Sequence, residues 1–209
     1  MPQYKLTYFK TRGAAELSRL VFTLAGEKYV DERLEREEWQ KVKHNTPLEA
    51  LPVLEVDGVV VSQSAAIARF LARRFKLFGK TDMEEFAIDE AHEVFAEIFN
   101  RELMKIFYES DATKKAEIAK AFIDGSLQKY LTFFETRLKK NGTGFYVGNE
   151  LTFGDLIIYN GLTMTEALLK MTKLDLNLAS CPELAALIKR VEENPRIAKW
   201  IAERPKTDM

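Results

Sequence analysis

The stretch from Pro47 to Gly58, PLEALPVLEVDG, places a proline directly in front of a predicted β-strand. Val53–Val56 contains the branched residues that favour strands, and Asp57-Gly58 is a hairpin-turn signal before a second run, Val59–Ser62. Pro52 has no backbone N–H to donate to a sheet, so a proline at this position carries a cost. The stretch therefore predicts a β-hairpin that begins at a specialised proline.

The residues around this hairpin predict an α/β domain. Tyr4–Phe9 is rich in aromatic residues and predicts a strand, and a helical apolar pattern then runs from Ala14 to Gly26. The further predicted segments are a weaker strand at Tyr29–Leu34, charged and poorly periodic residues at 36–44, and a helix at Ser64–Phe75. The predicted order is β-α-β-α-β-β-α.

Beyond residues 78–80 the sequence predicts helices only. Apolar stripes with helical spacing run from Ala91 to Phe107 and from Ala119 to Leu138. Thr152 stands three residues before Asp155, which is the spacing of a helix-capping box, and prolines at 182 and 195 suit helix starts. We expect an α/β domain at residues 1–78 and an all-helical domain at residues 82–209.

The composition excludes several classes of protein. The chain has 209 residues, of which 46% are hydrophobic and 30% charged, and its formal charge of −1 lacks the basic excess that nucleic-acid binding favours. Cys181 is the sole cysteine, which excludes an internal disulfide and suits a reducing compartment. The sequence shows no signal-peptide pattern and no membrane-length apolar run. We expect a cytoplasmic protein with no nucleic-acid or membrane partner.

Several short strings occur together in an order that is typical of one family. They are YKLTYF at 4–9 followed by RG, Trp39 with Lys43, LPVLEVDG at 51–58, QS at 63–64, and LTFGDL at 151–156. With a thioredoxin-like N-terminal domain and an all-α C-terminal domain, the chain resembles the cytosolic glutathione S-transferases. It is most similar to the sigma class, especially its invertebrate members. That class also contains glutathione-dependent prostaglandin D synthases and the lens S-crystallins.

The resemblance implies that Tyr8 is the catalytic residue, because it follows the family position at the end of the first strand. A free thiol titrates near ~8.5, so only a few per cent is thiolate at neutral pH. A phenol that donates its O–H to the sulfur of glutathione, aided by a helix N-terminus, stabilises the thiolate. Tyr4 is expected to have a structural role. Residues 10–13 hold no cysteine, which argues against a thioredoxin-like redox pair.

The resemblance also implies how the co-substrate glutathione is bound. Gln63 and Ser64 match the family's site for the γ-glutamyl carboxylate, where helix N–H groups and a hydroxyl are available. Lys43 matches the ligand for the glycyl carboxylate, with the N–H of Trp39 beside it. Glu97 matches the acidic residue that reaches the ligand's amine from the partner subunit of a homodimer.

The opening stretch supplies the contact for the cysteinyl unit. The family pattern implies a cis Leu51-Pro52 bond and a β-like pairing between the Leu51 backbone and the ligand. Where the sigma pattern has Gly followed by Gln or Lys, this chain has Glu49 and Ala50. Since Glu49 adds a negative charge and Ala50 lacks a hydrogen-bonding side chain, we expect glutathione affinity below that of the pattern.

Three functions remain open at this point. The first is transfer of glutathione to a small hydrophobic electrophile, with candidate lining residues Phe9, Thr11, Arg101, Met104, Phe107 and Tyr108. The second is isomerisation of a prostaglandin endoperoxide to the D form by the same thiolate. The third is a non-catalytic, crystallin-like or ligand-binding role. His44 and His92, far apart in sequence, show no metal-ligand spacing, so no metal is expected.

Overall fold

The computed structural model describes residues 2–207, and their backbone packs into two units. The first unit comprises the chain up to Leu77 together with the segment from Asn194 onward, and the second comprises Phe78–Glu193. The first unit is therefore discontinuous in sequence. The domain limits 1–78 and 82–209 stay a prediction.

A four-stranded mixed sheet forms the centre of the first unit. Its strands are β1 (Tyr4–Phe9), β2 (Val30–Leu34), β3 (Val53–Val56) and β4 (Val59–Ser62), in the spatial order β2-β1-β3-β4. Strand β1 pairs in parallel with β2 and antiparallel with β3, and β3 pairs antiparallel with β4. The structure thus confirms the predicted strands and the hairpin at Asp57-Gly58.

The helices of the first half are α1 (Glu16–Ala25), α2 (Arg36–Val42) and α3 (Ser64–Arg74). A short 3-10 turn, Gly13–Ala15, leads into α1, and Gly26 ends it in the left-handed conformation. Helix α2 covers most of the segment with poor periodicity. It begins at a capping box in which the Glu38 carboxylate accepts the Glu35 N–H at 2.7 Å.

The second unit is helical throughout its described residues. Its helices are α4 (Asp82–Ile98), α5 (Met104–Tyr108), α6 (Ala112–Phe122), α7 (Gln128–Asn141), α8 (Phe153–Lys170) and α9 (Pro182–Glu193). π-helical turns at Phe99–Leu103 and Ile123–Leu127 connect α4 to α5 and α6 to α7. Helices α4 and α8 pack closely, because Gly161 on α8 has no side chain. The Phe95 ring of α4 occupies the space that a Cβ at Gly161 would need. Within residues 2–207, every helix is too short or too polar to cross a membrane.

Helix α10 (Pro195–Glu203) returns to the first unit and packs against α1. The Asn194 side chain caps its first turn, and Arg196 donates to the carbonyl of Leu24 at 2.7 Å. Near its other end, the Trp200 indole N–H donates to the Glu16 carboxylate at 2.9 Å. The last helix therefore covers one face of α1.

Candidate functional site

The register of the sheet brings predicted site residues to one end of three adjacent strands. Thr7 on β1 lies opposite Val53 on β3, and Val53 lies opposite Ser62 on β4. The next positions at this end of the sheet are Tyr8, Pro52 and Gln63. Tyr8, Pro52 and Gln63, of which the first and last are 55 positions apart in sequence, thus form one row, which we call the site row.

The Tyr8 hydroxyl is held by the turn that follows β1. It accepts the backbone N–H of Ala14 at 3.2 Å. Gly13 has φ +40°, and a Cβ on it would lie 2.6 Å from the phenol oxygen, so only glycine allows this close approach. Because the N–H occupies an acceptor position of the oxygen, the phenol O–H stays available as a donor.

Trp39 and Lys43 lie next to the same end of β1. The Trp39 indole is buried and meets the Phe9 ring edge to face at 6.2 Å, and Phe9 in turn meets the Tyr8 ring at 5.4 Å. Lys43 follows one helical turn after Trp39 and donates its backbone N–H to the Trp39 carbonyl. Its side chain is half-buried. This arrangement places the Trp39 indole against the end of β1, with Lys43 one helical turn further along the chain.

The Leu51-Pro52 bond is cis, as predicted. Pro52 is buried and Leu51 half-buried at the entrance to β3. The preceding loop is unusual, because Leu48 and Glu49 have φ values of +59° and +43°, in the left-handed region that favours glycine.

Gln63 and Ser64 form the junction between β4 and α3. Gln63 has φ +75° and ψ +105°, and its carbonyl accepts the Ile67 N–H at 2.9 Å. The Gln63 side chain is exposed and takes no part in capping the helix within the described chain. The N–H groups of the first turn of α3, which have no partner further back in the helix, therefore lie beside the site row.

Glu97 belongs to the second unit, where it lies exposed on α4. Its carboxylate pairs with Arg101 at 3.0 Å. Burial, and then the negative charges of Glu97 and Glu102, raise the pKa of Tyr130. Among the predicted pocket residues of this unit, Phe107 and Tyr108 have their rings 5.1 Å apart. Contact of Glu97 with a ligand stays a prediction, as does the electrophile pocket.

Sequence reasoning missed Arg19. This residue is fully buried, and its guanidinium carbon lies 5.9 Å from the centroid of the Tyr8 ring. It donates to the backbone carbonyls of Thr11 at 2.8 Å and Arg12 at 3.2 Å, in the turn that holds the Tyr8 hydroxyl. The available signal was a charged pair, Glu16 and Arg19, three residues apart within an otherwise uncharged helix.

The described residues contain no group of three or more His, Cys, Asp or Glu side chains placed to hold a metal ion. Cys181 is buried and free, and its backbone N–H donates to the Leu178 carbonyl just before α9. The cysteine is far from β1 in sequence and is held in the core of the second unit.

Comparison with known families gives two matches that together span most of the chain. Residues 4–73 match the model of the glutathione S-transferase N-terminal domain, and residues 99–204 match that of the C-terminal domain. The predicted fold class, a thioredoxin-like α/β domain followed by an all-helical domain, is thereby confirmed.

Curated relatives match over nearly their whole length. Glutathione S-transferase 1 of Ascaris suum is 42% identical over 209 residues, covering 99% of both chains. S-crystallin SL11 of Nototodarus sloanii is 37% identical over 214 residues, again covering 99% of both.

Solved structures agree with these relatives. A structure described as monomeric Na-GST-3, a glutathione S-transferase from the hookworm Necator americanus, has a TM-score of 0.85 and 36% identity, and the match covers 99% of this chain and 100% of that one. The prostaglandin synthase D of Nilaparvata lugens has a TM-score of 0.84 and 32% identity, with 98% and 100% coverage. From its family matches, its relatives and its fold, the chain belongs to the glutathione S-transferase family.

Proposed function

We propose that this chain is a sigma-type glutathione transferase in which Tyr8 stabilises the thiolate of glutathione. The observation that carries the proposal is the site row, in which Tyr8, Pro52 and Gln63 come together with a phenol oxygen already fixed by the Ala14 N–H. A prearranged donor costs little reorganisation when the charge forms on sulfur.

The chemical step is a nucleophilic substitution or addition by sulfur. The thiol proton leaves to solvent, and the Tyr8 O–H donates to the sulfur anion. A lowering of the thiol pKa by about two requires roughly 2.7 kcal/mol of preferential stabilisation of the thiolate. With a chlorinated aromatic substrate, the C–S bond forms and chloride leaves. Such chemistry on small hydrophobic electrophiles is a detoxification function, which we place in the cytoplasm.

Glutathione is proposed to bind along the site row in an extended form. Its γ-glutamyl carboxylate would meet Ser64 and the N–H groups that open α3, beside Gln63. Its cysteinyl unit would pair with the Leu51 backbone next to Pro52. In this arrangement Lys43 and Trp39 would bind the glycyl carboxylate. The binding uses hydrogen bonds and charge pairs of the protein alone, without a metal.

The Tyr8 assignment is tested by comparing Tyr8→Phe with the unchanged protein on a chlorinated aromatic substrate. Loss of a hydrogen bond to a charged sulfur should lower kcat/KM about 10- to 100-fold. Tyr4→Phe is the matched control, because Tyr4 is buried on the same strand and its hydroxyl accepts the Nε–H of Arg74 on α3 instead of facing the site row. Equal turnover by Tyr8→Phe and the parent would refute the assignment.

A homodimer is part of this proposal, with Glu97 reaching the partner's ligand. Each unit carries exposed apolar residues of its own, among them Leu48 (75% exposed), Met83 (72%) and Phe86 (57%). The hookworm relative described as monomeric makes the assembly state worth measuring. Sedimentation should give a dimer that Met83→Asp and Phe86→Asp together dissociate, and a glutathione complex should place Glu97 across the interface. A parent protein that sediments as a monomer would contradict the proposal.

Prostaglandin D synthesis is the second candidate activity. It is favoured by the similarity to the prostaglandin synthase D of Nilaparvata lugens. The same thiolate would attack the endoperoxide, so the site row serves both reactions. Incubation with the endoperoxide and analysis of the products decide between them, because transferase activity alone yields no D-type product above the uncatalysed level.

A non-catalytic role on the same scaffold is the third candidate. The similarity to S-crystallin SL11 supports it, whereas the fixed Tyr8 hydroxyl favours an enzyme. Titration calorimetry separates the two, because a protein of the third kind would show no heat of glutathione binding.

A further inference from the structure

Arg19 connects the Tyr8 ring to the turn that fixes the Tyr8 hydroxyl. One nitrogen of the guanidinium donates to the carbonyls of Thr11 and Arg12, the two residues before Gly13. The guanidinium carbon lies 5.9 Å from the Tyr8 ring centroid, within the range of a cation–π interaction. Two neighbouring parts of the site, the ring and the turn, are thus in contact with one buried side chain.

Two carboxylates, those of Asp31 and Glu16, contact the Arg19 guanidinium. Its Nε donates to Asp31 on β2 at 3.0 Å, and Glu16 lies 3.5 Å from its Nη1. Arg33 also pairs with Asp31, at 2.8 Å, and Arg204 pairs with Glu16 at 2.6 Å. Because Arg19 is fully buried, these partners fix the direction of its fork.

We propose that Arg19 is a positioning residue for Tyr8: it holds the Thr11–Ala14 turn against the phenol oxygen and keeps a positive charge beside the phenol ring. The proposal rests on the function proposed for Tyr8. A cation at the ring makes the phenol a stronger donor, and a fixed turn keeps the Ala14 N–H on its oxygen. Both effects favour the thiolate over the neutral thiol.

The charged and titratable groups around Arg19 come from three elements. They are Glu16 on α1, Asp31 and Arg33 on β2, and Arg204 after α10. Tyr29 adjoins the cluster, and burial raises its pKa, so it stays neutral throughout the pH range in which the thiol ionises. Of the two carboxylates, Asp31 lies nearer to the Arg19 guanidinium, at 3.0 Å against 3.5 Å for Glu16.

The first test separates geometry from charge with Arg19→Lys. Lysine keeps the charge but cannot donate to Asp31 and to both carbonyls at once. We expect the backbone amide of Ala14 to exchange with solvent about tenfold faster, and kcat/KM with glutathione to fall roughly three- to thirtyfold. Lys10→Met is the matched control, because Lys10 is a cation near the same strand end but is exposed and paired with Glu35. It should change neither quantity.

The second test changes the charge and leaves Arg19 in place. Asp31→Asn removes the negative charge that offsets Arg19, so the pH at which kcat/KM is half-maximal should fall by roughly half a unit. A purely structural role predicts lower stability and an unchanged pH profile. If Arg19→Lys fails to fold, this variant decides the proposal alone.

The outcomes are distinct. Unchanged Ala14 exchange and unchanged kcat/KM in folded Arg19→Lys would overturn the proposal, as would a pH profile that stays in place or moves upward in Asp31→Asn. Failure of the proposed function is recognised separately, by full turnover in Tyr8→Phe. The amide exchange of Ala14 needs no activity and still reports whether Arg19 holds the turn.

Discussion

Glu49 holds a backbone conformation that costs free energy. Leu48 and Glu49 both have positive φ values, next to the Leu51-Pro52 site. For a residue with a Cβ, the left-handed region costs roughly 1–2 kcal/mol, and glycine avoids most of this cost. The sequence departs from the sigma pattern at Glu49, where that pattern has glycine. The positive φ of Glu49 means that this departure also costs conformational free energy.

We therefore expect Glu49→Gly to raise the free energy of unfolding by about 0.5–1 kcal/mol, after the larger chain entropy of glycine is subtracted. Glu49→Gln is the control, because it removes the charge and keeps the strained conformation. Denaturant unfolding of both variants measures the difference. Equal stability of the two would show that strain at this position is negligible.

Individual site residues were predictable because each stands in a short motif with a fixed place in the chain. Tyr8, Pro52 and Gln63 were proposed in this way, and the sheet register places them in one row. Arg19 was not, because a buried arginine depends on partners such as Asp31 on β2 and the Thr11 carbonyl, which only the fold brings to it. Only the folded chain shows that Asp31 lies beside it.

At the scale of the element, the start of α8 depends on a buried carboxylate. One oxygen of Asp155 accepts the Tyr146 N–H at 2.7 Å, and the other accepts the Thr152 N–H at 2.7 Å and its hydroxyl at 2.9 Å. This is the predicted capping box, and it also ties the preceding loop to the helix. Both carboxylate oxygens are acceptors, so an amide cannot replace them.

Asp155→Asn should lower the free energy of unfolding by about 1–3 kcal/mol, because an NH₂ group then faces the buried Thr152 N–H. The control is Asp111→Asn at the exposed start of α6. There a single side-chain oxygen caps Lys114, and asparagine keeps that acceptor. Thermal or denaturant unfolding gives both values, and an equally small effect at the two positions would contradict the role given to Asp155.

The same carboxylate makes stability depend on pH in a definite direction. Burial raises the pKa of Asp155 to about 6, although hydrogen bonds that include those from Thr152 and Tyr146 oppose this. Between the ordinary aspartate value of about 4 and pH 6, the folded protein binds more protons at this site than the unfolded chain does, so its stability falls as pH rises. The difference in unfolding free energy between the parent and Asp155→Asn should therefore narrow from pH 4 to pH 6. A difference that widens would show that the pKa is lowered instead.

The order of elements in the first unit was predicted correctly, including a helix between β2 and β3, but periodicity gave neither the start of that helix nor the interruptions of longer ones. Helix α2 has a weak apolar pattern, and its capping box, Glu35 with Glu38, was the overlooked signal. The stripe from Ala91 to Phe107 predicted one helix, whereas a π-helical turn at Phe99–Leu103 interrupts it. Side-chain spacing cannot reveal such a turn, because tertiary packing selects the backbone hydrogen-bond register.

At the scale of the whole molecule, the first unit depends on both ends of the chain. Trp200 and Arg204 donate to the buried carboxylate of Glu16, and the Arg33 guanidinium lies over the Trp200 ring at 5.9 Å. Without the last helix, Glu16 would lose these two donors and keep Arg19, at 3.5 Å, as its charged partner. Removing partners from a buried charge is strongly destabilising.

A fragment that ends at Leu77 should therefore fail to unfold cooperatively. Joining residues 194–207 to it through a flexible linker should restore a cooperative transition, followed by circular dichroism. The matched control carries Trp200→Ala and Arg204→Ala in the joined segment and should behave like the short fragment. A cooperative transition in the short fragment alone would show that the last helix is dispensable.

The discontinuity of the first unit also has a consequence for synthesis on the ribosome. The sheet strands and α1 emerge first, yet the helix that covers α1 emerges only after Phe78–Glu193 has been made. The second unit is continuous in sequence, so its helices can assemble before Trp200 and Arg204 of the first unit have been translated. We expect the nascent chain to complete the proposed glutathione site last, although almost every residue proposed for it is translated first.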